Sequence, residues 1–218
     1  MDIPFKEYIT SPNPVILDIG TYNGDDAVNF LQLFPTATVY AFEADPLVWD
    51  IFEKSVSSKI EYPSSRLELV KHAVGNTNGK LTFHNSYFNL DTPGESGDFK
   101  KPGASGTFQK PTAHFRYHPE VFYGTTEVDC VTLDSWFESK DIDIIDFAWT
   151  DVNGAEIALI EGGFNTFTKR TRYLLLECIS YELWENQSTK EVVLQMLPDF
   201  TLIMEDAHNI LLKNNKLI

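Results

Sequence analysis

The sequence predicts an α/β fold: a Rossmann-like, mostly parallel seven-stranded sheet with helices on its faces, closed by an antiparallel hairpin. Three observations predict it. Short apolar runs that read as buried strands alternate with amphipathic helical stretches through most of the 218 residues. The first run, VILDI, breaks at once into a turn carrying Gly20 and Gly24, and a helix opens on Asp25-Asp26. The chain ends on two apolar runs, residues 200–204 and 209–212, separated only by Glu205-Asp206-Ala207-His208, a spacing that suits an antiparallel pair.

The elements follow in order. Phe5, Tyr8 and Ile9 suit a helical turn that Pro12 and Pro14 end. Residues 14–19 do not alternate, as expected of a central parallel strand buried on both faces. In the helix at 25–34, Ala27, Phe30, Leu31 and Phe34 share a face, and Pro35 stops it. A strand at 38–42 runs into Glu43-Ala44-Asp45-Pro46, a helix follows at 47–56 and a third strand at 67–70. Residues 79–84 read as an added strand near an edge.

From 85 to 124 the periodicity dissolves among nine glycines and prolines and eight aromatic residues. So long a stretch inside a compact domain marks a functional cover or a substrate insert. Regular structure resumes with a strand at 126–131, a short helix at 133–139 and an apolar strand at 142–149 leading to Asp151. Asn153-Gly154 makes the next turn. A helix at 155–161 is terminated by Gly162-Gly163, a strand at 173–176 ends at Glu177, and a helix at 190–197 precedes the hairpin. No repeat and no boundary interrupts the chain, so residues 1–218 are expected to form one domain with an irregular insert at about 85–124.

Seventeen basic residues against 32 acidic ones give a net charge of −15, which argues against a general binder of nucleic acid or membrane surfaces. Two cysteines, Cys130 and Cys178, without a C-x-x-C spacing suit free thiols in a reducing compartment. No apolar run approaches the length of a membrane span, and the N-terminus lacks a signal pattern, so a cytoplasmic protein is expected.

Chemistry-bearing residues gather at the predicted carboxyl edge of the sheet. Asp18-Ile-Gly-Thr-Tyr-Asn-Gly24 matches D-x-G-x-x-x-G rather than the G-x-G-x-x-G of dinucleotide binders. An acid before the turn suits a cationic ligand. Glu43 ends the second strand 23 residues beyond Gly20, where a carboxylate can accept two hydrogen bonds from ribose hydroxyls. His72-Ala73 follows the third strand, where an adenine edge would lie. Asp151 ends the fourth parallel strand, and Glu156 opens the next helix, where an acid suits the helix dipole.

Together, Asp18-Ile-Gly20, Phe42-Glu43-Ala-Asp-Pro46, VDCVTLDSWF at 128–137 and Asp151-Val-Asn-Gly-Ala-Glu156 resemble the FkbM family of S-adenosylmethionine-dependent methyltransferases. The resemblance covers residues 15–177. It implies the class I methyltransferase fold, whose sheet ends in just such a hairpin, and methylation of a hydroxyl on a sugar, glycan or small natural product. For S-adenosyl-L-methionine it implies a site built from Asp18, Gly20, Asn23, Glu43, Ala44, His72, Ala73 and Asp151. The family pattern is broken at Tyr22, often glycine, at Trp149, often lysine, and at Asn153, often glutamate. After Glu177 it often continues to a histidine, whereas Cys178 follows here.

A hydroxyl acceptor needs a nearby base. Asp151, Glu177 and the insert histidines His114 and His118 are the candidates. Gly103-Ala-Ser-Gly-Thr107 is a candidate segment for closing over the cofactor or positioning the acceptor. No metal is expected, because no ligand spacing accompanies Asp151 and Glu177. Two alternatives remain at this point: a non-catalytic module that binds the cofactor, and a nicotinamide-dependent oxidoreductase.

Overall fold

A computed structural model describes residues 4–90 and 100–218. Its main sheet has seven strands: β1 (Val15–Ile19), β2 (Thr38–Phe42), β3 (Leu67–Val70), β8 (Ile145–Thr150), β9 (Thr171–Glu177), β10 (Phe200–Glu205) and β11 (Asn209–Asn214). They lie in the order β3-β2-β1-β8-β9-β11-β10. All neighbours are parallel except β11, which runs against both β9 and β10. This is the class I methyltransferase sheet with its closing hairpin.

Strand alternation divides the core in two. Ile16, Val39, Ala41, Phe147 and Leu175 face helices α1 (Phe5–Tyr8), α2 (Asp25–Leu33) and α3 (Trp49–Ser57) through Phe30, Leu31, Phe52 and Val56. Leu17, Ile19, Phe42, Ala148 and Leu174 face the other layer. There lie α5 (Leu133–Glu138), α6 (Glu156–Gly162), α7 (Phe164–Arg170) and α8 (Lys190–Met196), which contribute Trp136, Leu159, Phe167 and Val193.

Two features differ from the sequence reading. The strand expected at 79–84 is β5 (Gly79–Asn89), and it does not sit at an edge of the main sheet. It belongs to a second, four-stranded sheet with β4 (Ala73–Val74), β6 (Lys100–Pro102) and β7 (Val121–Val131), in the order β4-β7-β5-β6. The segment expected to be irregular therefore contains the end of β5, β6, the short helix α4 (His114–Tyr117) and the start of β7. The second difference is α7, which begins directly after the Gly162-Gly163 break.

The chain leaves the main sheet after β3, and two residues later β4 pairs with β7. His72-Ala73 is thus the hinge between the sheets. The second sheet stands over the carboxyl edge of the first and has a small core of its own, Ala73, Phe83, Val128 and Cys130, against which Ala44 from the end of β2 packs. Cys130 and Cys178 are buried and unpaired. No helix among the described residues is long and apolar enough to cross a membrane.

Candidate functional site

β1 lies between β2 and β8, so the connections leave it in opposite directions and open a crevice at its carboxyl end. A cleft of about 550 Å³, partly open to solvent, occupies this place. Its floor comes from the ends of four strands: Gly20 and Tyr22 after β1, Glu43 to Asp45 after β2, His72 and Ala73 after β3, and Asp151 to Asn153 after β8. Its roof is the second sheet, through Phe83 and the strap formed by Gly103, Ala104, Gly106, Thr107 and Phe108.

The glycine turn is shaped by close packing. Gly20 has φ +91°, and a Cβ there would lie 1.9 Å from the carbonyl oxygen of Asp151. The ends of β1 and β8 are that close because the Asp151 N–H donates to the Ile19 carbonyl at 2.9 Å. Gly24 has φ +76°, but its missing side chain makes room for Phe52 and Val56 of α3, not for a ligand. Between them Tyr22 takes φ +49° without being glycine. Its N–H donates to Glu43 at 2.9 Å, and its hydroxyl crosses the cleft to the Pro102 carbonyl at 3.2 Å.

Glu43 also accepts from the Asp45 N–H at 2.8 Å. Each of its oxygens thus holds one backbone amide and retains a free lone pair for a ligand. Burial, reinforced by the nearby charges of Asp45 and Asp18, pushes its carboxyl up to about 8. Asp45 is clamped by Asn85 at 2.7 Å and by the Leu47 N–H at 2.9 Å, both on Oδ1.

Asp151 meets Glu177, at the end of β9, through a carboxyl–carboxyl hydrogen bond. Two carboxylates can form such a bond only by sharing a proton. Burial is the main cause that raises both, and the Asp151 charge helps push Glu177 to about 9. The pair is thus biased toward holding a proton.

Three residues lining the cleft hold a buried polar atom without a partner: Asp45 Oδ2, His72 Nδ1 and Asp151 Oδ1. Buried polar groups are nearly always satisfied, so these orphans mark where a ligand's polar groups would go. The lining contains Glu43, Asp45 and Asp151 but no Lys or Arg. Such a cleft suits a cation that also donates hydrogen bonds, and it disfavours a phosphate.

The structure thus brings Gly20, Glu43, Ala44, His72, Ala73 and Asp151 together in the lining, and the strap residues with them. It does not bring Asp18, Asn23, His114 or His118 there. Asp18 is fully buried below the turn, where its Oδ2 accepts from Thr21 and its Oδ1 has no hydrogen-bond partner. Burial pushes it up to about 7. Asn23 accepts from the Asp25 N–H at 3.2 Å and faces solvent.

His114 is buried between the rings of His118 and Trp184, with Nδ1 2.9 Å from the Tyr123 hydroxyl. Burial and the neighbouring His118 lower it to about 4, so it stays neutral. Glu156 is a bracing acid: it accepts from the Gly154 N–H at 3.0 Å and from Ser188 at 3.3 Å.

Sequence reasoning did not single out Asp45 or Asn85; it treated Tyr22 as a departure from a pattern and Asn153 as a departure and a turn residue. Asp45 sat in the quoted stretch after β2 and was masked as an ordinary Asp-Pro turn. Asn153 donates to the Ala104 carbonyl at 3.2 Å and Thr107 to the Val152 carbonyl at 3.4 Å, so with Tyr22 they fasten the strap across the cleft. Trp149 packs against the core on the face covered by α2 and α3. Among the described residues, no cluster of three or more His, Cys, Asp or Glu is arranged to hold a metal.

A sequence profile of the methyltransferase FkbM domain matches residues 18–209. The 2-O-methyltransferase NoeI of Sinorhizobium fredii (strain NBRC 101917 / NGR234) is 35% identical over 214 residues, covering 96% of this chain and 83% of that protein. Among solved structures, TrmK of M. capricolum with S-adenosylhomocysteine aligns with 99% of this chain and 69% of its own, at 14% identity and a TM-score of 0.46. A SAM-dependent methyltransferase from Anabaena variabilis aligns with 98% of this chain and 82% of its own, at 13% identity and a TM-score of 0.49.

Proposed function

Because the chain belongs to the FkbM family of S-adenosylmethionine-dependent methyltransferases, we propose that it methylates a hydroxyl of a sugar, glycan or small natural product, with Asp151 as the base. Family membership displaces the nicotinamide alternative. The relative's name, a 2-O-methyltransferase, supports an oxygen acceptor at a numbered hydroxyl position. The observation that carries the reading is the cleft itself: Glu43 and Asp151 line it together, and no cation does.

The residues present fit this cofactor. Glu43 retains lone pairs for the ribose hydroxyls, and the orphaned oxygens of Asp45 and Asp151 suit a cationic ligand rich in N–H and O–H donors. His72 and Ala73 flank the cleft wall under Phe83, where a flat base would pack. Asp18 holds the turn from below rather than touching the ligand.

When bound, S-adenosylmethionine supplies a methyl group already activated by its sulfonium. The chain's own tasks are alignment, exclusion of water and removal of one proton. The strap residues exclude water from above. Asp151 accepts the proton of the acceptor hydroxyl as its oxygen gains the methyl group. Glu177 holds the proton that the two carboxyls share, which keeps Asp151 oriented and limits repulsion in a buried acidic site. His114, neutral and enclosed, packs the neighbouring wall.

Turnover and binding separate in one test. With a panel of sugars and glycans, formation of S-adenosylhomocysteine by Asp151→Asn should fall at least ~100-fold, while its affinity for S-adenosylhomocysteine stays near that of the parent protein. Turnover within about a factor of two of the parent removes Asp151 as the base.

A further inference from the structure

Beyond Asp151 the carboxyl edge carries a second surface that methyl transfer does not use. The loop after β9 and the segment leading into α4 are zipped together there. The N–H groups of Thr112 and Ala113 donate to the Leu183 carbonyl at 3.0 and 3.1 Å, and the Glu185 N–H donates to the Lys110 carbonyl at 2.8 Å. Gln187 pins the loop from inside, accepting from the Leu183 N–H at 2.8 Å and donating to the Ile179 carbonyl at 2.9 Å. The wall beneath is the stack His118–His114–Trp184, with ring centroids 4.6 and 4.7 Å apart.

On this braced base stand aromatic rings open to solvent. Tyr117 and Tyr181 lie 4.9 Å apart, with exposures of 56% and 36%, and His208 is 6.4 Å from Tyr181. Phe115, from the same short helix, is 52% exposed. A cluster of exposed aromatic rings held rigid is a binding feature rather than a packing one. Exposed side chains of both signs flank it, Glu182 and Glu185 on the loop after β9 and Lys110 and Arg116 on the facing segment.

A short run of chain and one packing contact link this surface to the cleft. Trp184 packs on Gly154, one residue from the cleft-lining Asn153. Tyr181 is four residues past Glu177, so it stands no more than about 14 Å from the end of β9.

We propose that the Tyr117–Tyr181 surface is an acceptor subsite for a neutral oligosaccharide, holding sugar rings that extend from the hydroxyl methylated beside Asp151. The inference rests on the sugar-methylating reading given above. Its chemistry comes from the surface. A pyranose presents an apolar C–H face that packs on an aromatic ring, and hydroxyls around its rim that donate to carboxylates. Aromatic rings bordered by charged groups of both signs match that pairing, since sugar hydroxyls both donate and accept. The −15 net charge disfavours an anionic glycan, a nucleic acid or an anionic lipid surface. A cationic peptide is the competing occupant, and the hydroxyl-directed reaction favours the sugar.

The test is an array of neutral oligosaccharides, their component monosaccharides and cationic peptides, probed with the parent protein and the Tyr117→Ala/Tyr181→Ala variant. Intact folding of the variant is read from its S-adenosylhomocysteine affinity. The single variant Tyr117→Ser, at the more exposed position, serves if the double variant does not fold. The parent should bind neutral oligosaccharides better than monosaccharides, and the variant should lose at least about tenfold in that affinity with cofactor affinity unchanged. Oligosaccharide binding that the variant retains, no preference over monosaccharides, or preferential binding of the peptides overturns the proposal. Array binding needs no turnover, so tyrosine-dependent oligosaccharide binding without methyl transfer would fail the reaction and leave the subsite standing.

Discussion

A methyl group on Gly20 would meet the Asp151 carbonyl oxygen at 1.9 Å, and both partners are backbone. No side chain can rotate away, and φ +91° adds strain for any L residue. Gly20→Ala should cost ~3 kcal/mol or more in stability, read by urea unfolding, because β1 and β8 must part. A loss below about 1 kcal/mol would show that the two strand ends are not held that tightly. Residue identity made Gly20, Glu43, His72 and Asp151 legible from the sequence, since each follows an apolar strand at the sheet's carboxyl edge. It could not distinguish Gly20 from Gly24, because the neighbours that demand each glycine come from β8 in one case and α3 in the other. Nor could it show that Asp18 points under the turn. That follows from strand alternation, which puts its side chain on the same face as Ile16, toward α2.

The strands of the main sheet were legible because burial on both faces leaves continuous apolar runs. The second sheet was not, for the same reason in reverse. Most of β5 and β7 is partly exposed, so neither run is apolar throughout, and their pairing joins Gly79 to Cys130 across a long stretch of chain. Prolines and glycines within that stretch look like loop punctuation, yet Gly103 and Gly106 are part of the strap that roofs the cleft. Gly103 packs on Ser86 and Phe88, and Gly106 packs on Phe83, both closer than a side chain would allow. Helix α7 was hidden by a correct local rule. Gly162-Gly163 does end α6, but Gly162 is there because a side chain would strike the Gly75 carbonyl, and the chain resumes helix at Phe164. His114 and His118 looked like bases by side-chain chemistry alone. Their stacking with Trp184 depends on the contact between the insert and the loop after β9, which no local pattern records.

The whole molecule concentrates carboxyls whose native proton affinity is raised: Asp18 and Glu156 to about 7, Glu43 to about 8 and Glu177 to about 9. Each binds its proton more tightly folded than unfolded. Their contribution is fully present below the ordinary carboxylate range and is lost as pH rises through these raised values. The ligand-free protein should therefore melt several degrees lower at pH 9 than at pH 6, with the loss spread across that interval in a thermal scan; a flat or rising profile would mean the cluster is hydrated rather than buried. The same concentration of acid without a neighbouring cation is what makes the cleft a place for a positively charged cofactor. Titration calorimetry with S-adenosylmethionine in the absence of acceptor tests this most directly, comparing the parent protein with Glu43→Ala. The account predicts one molecule bound per chain and an affinity loss of ~1–3 kcal/mol, roughly 5- to 150-fold, in the variant. No binding by the parent, or equal affinity in both proteins, would contradict it.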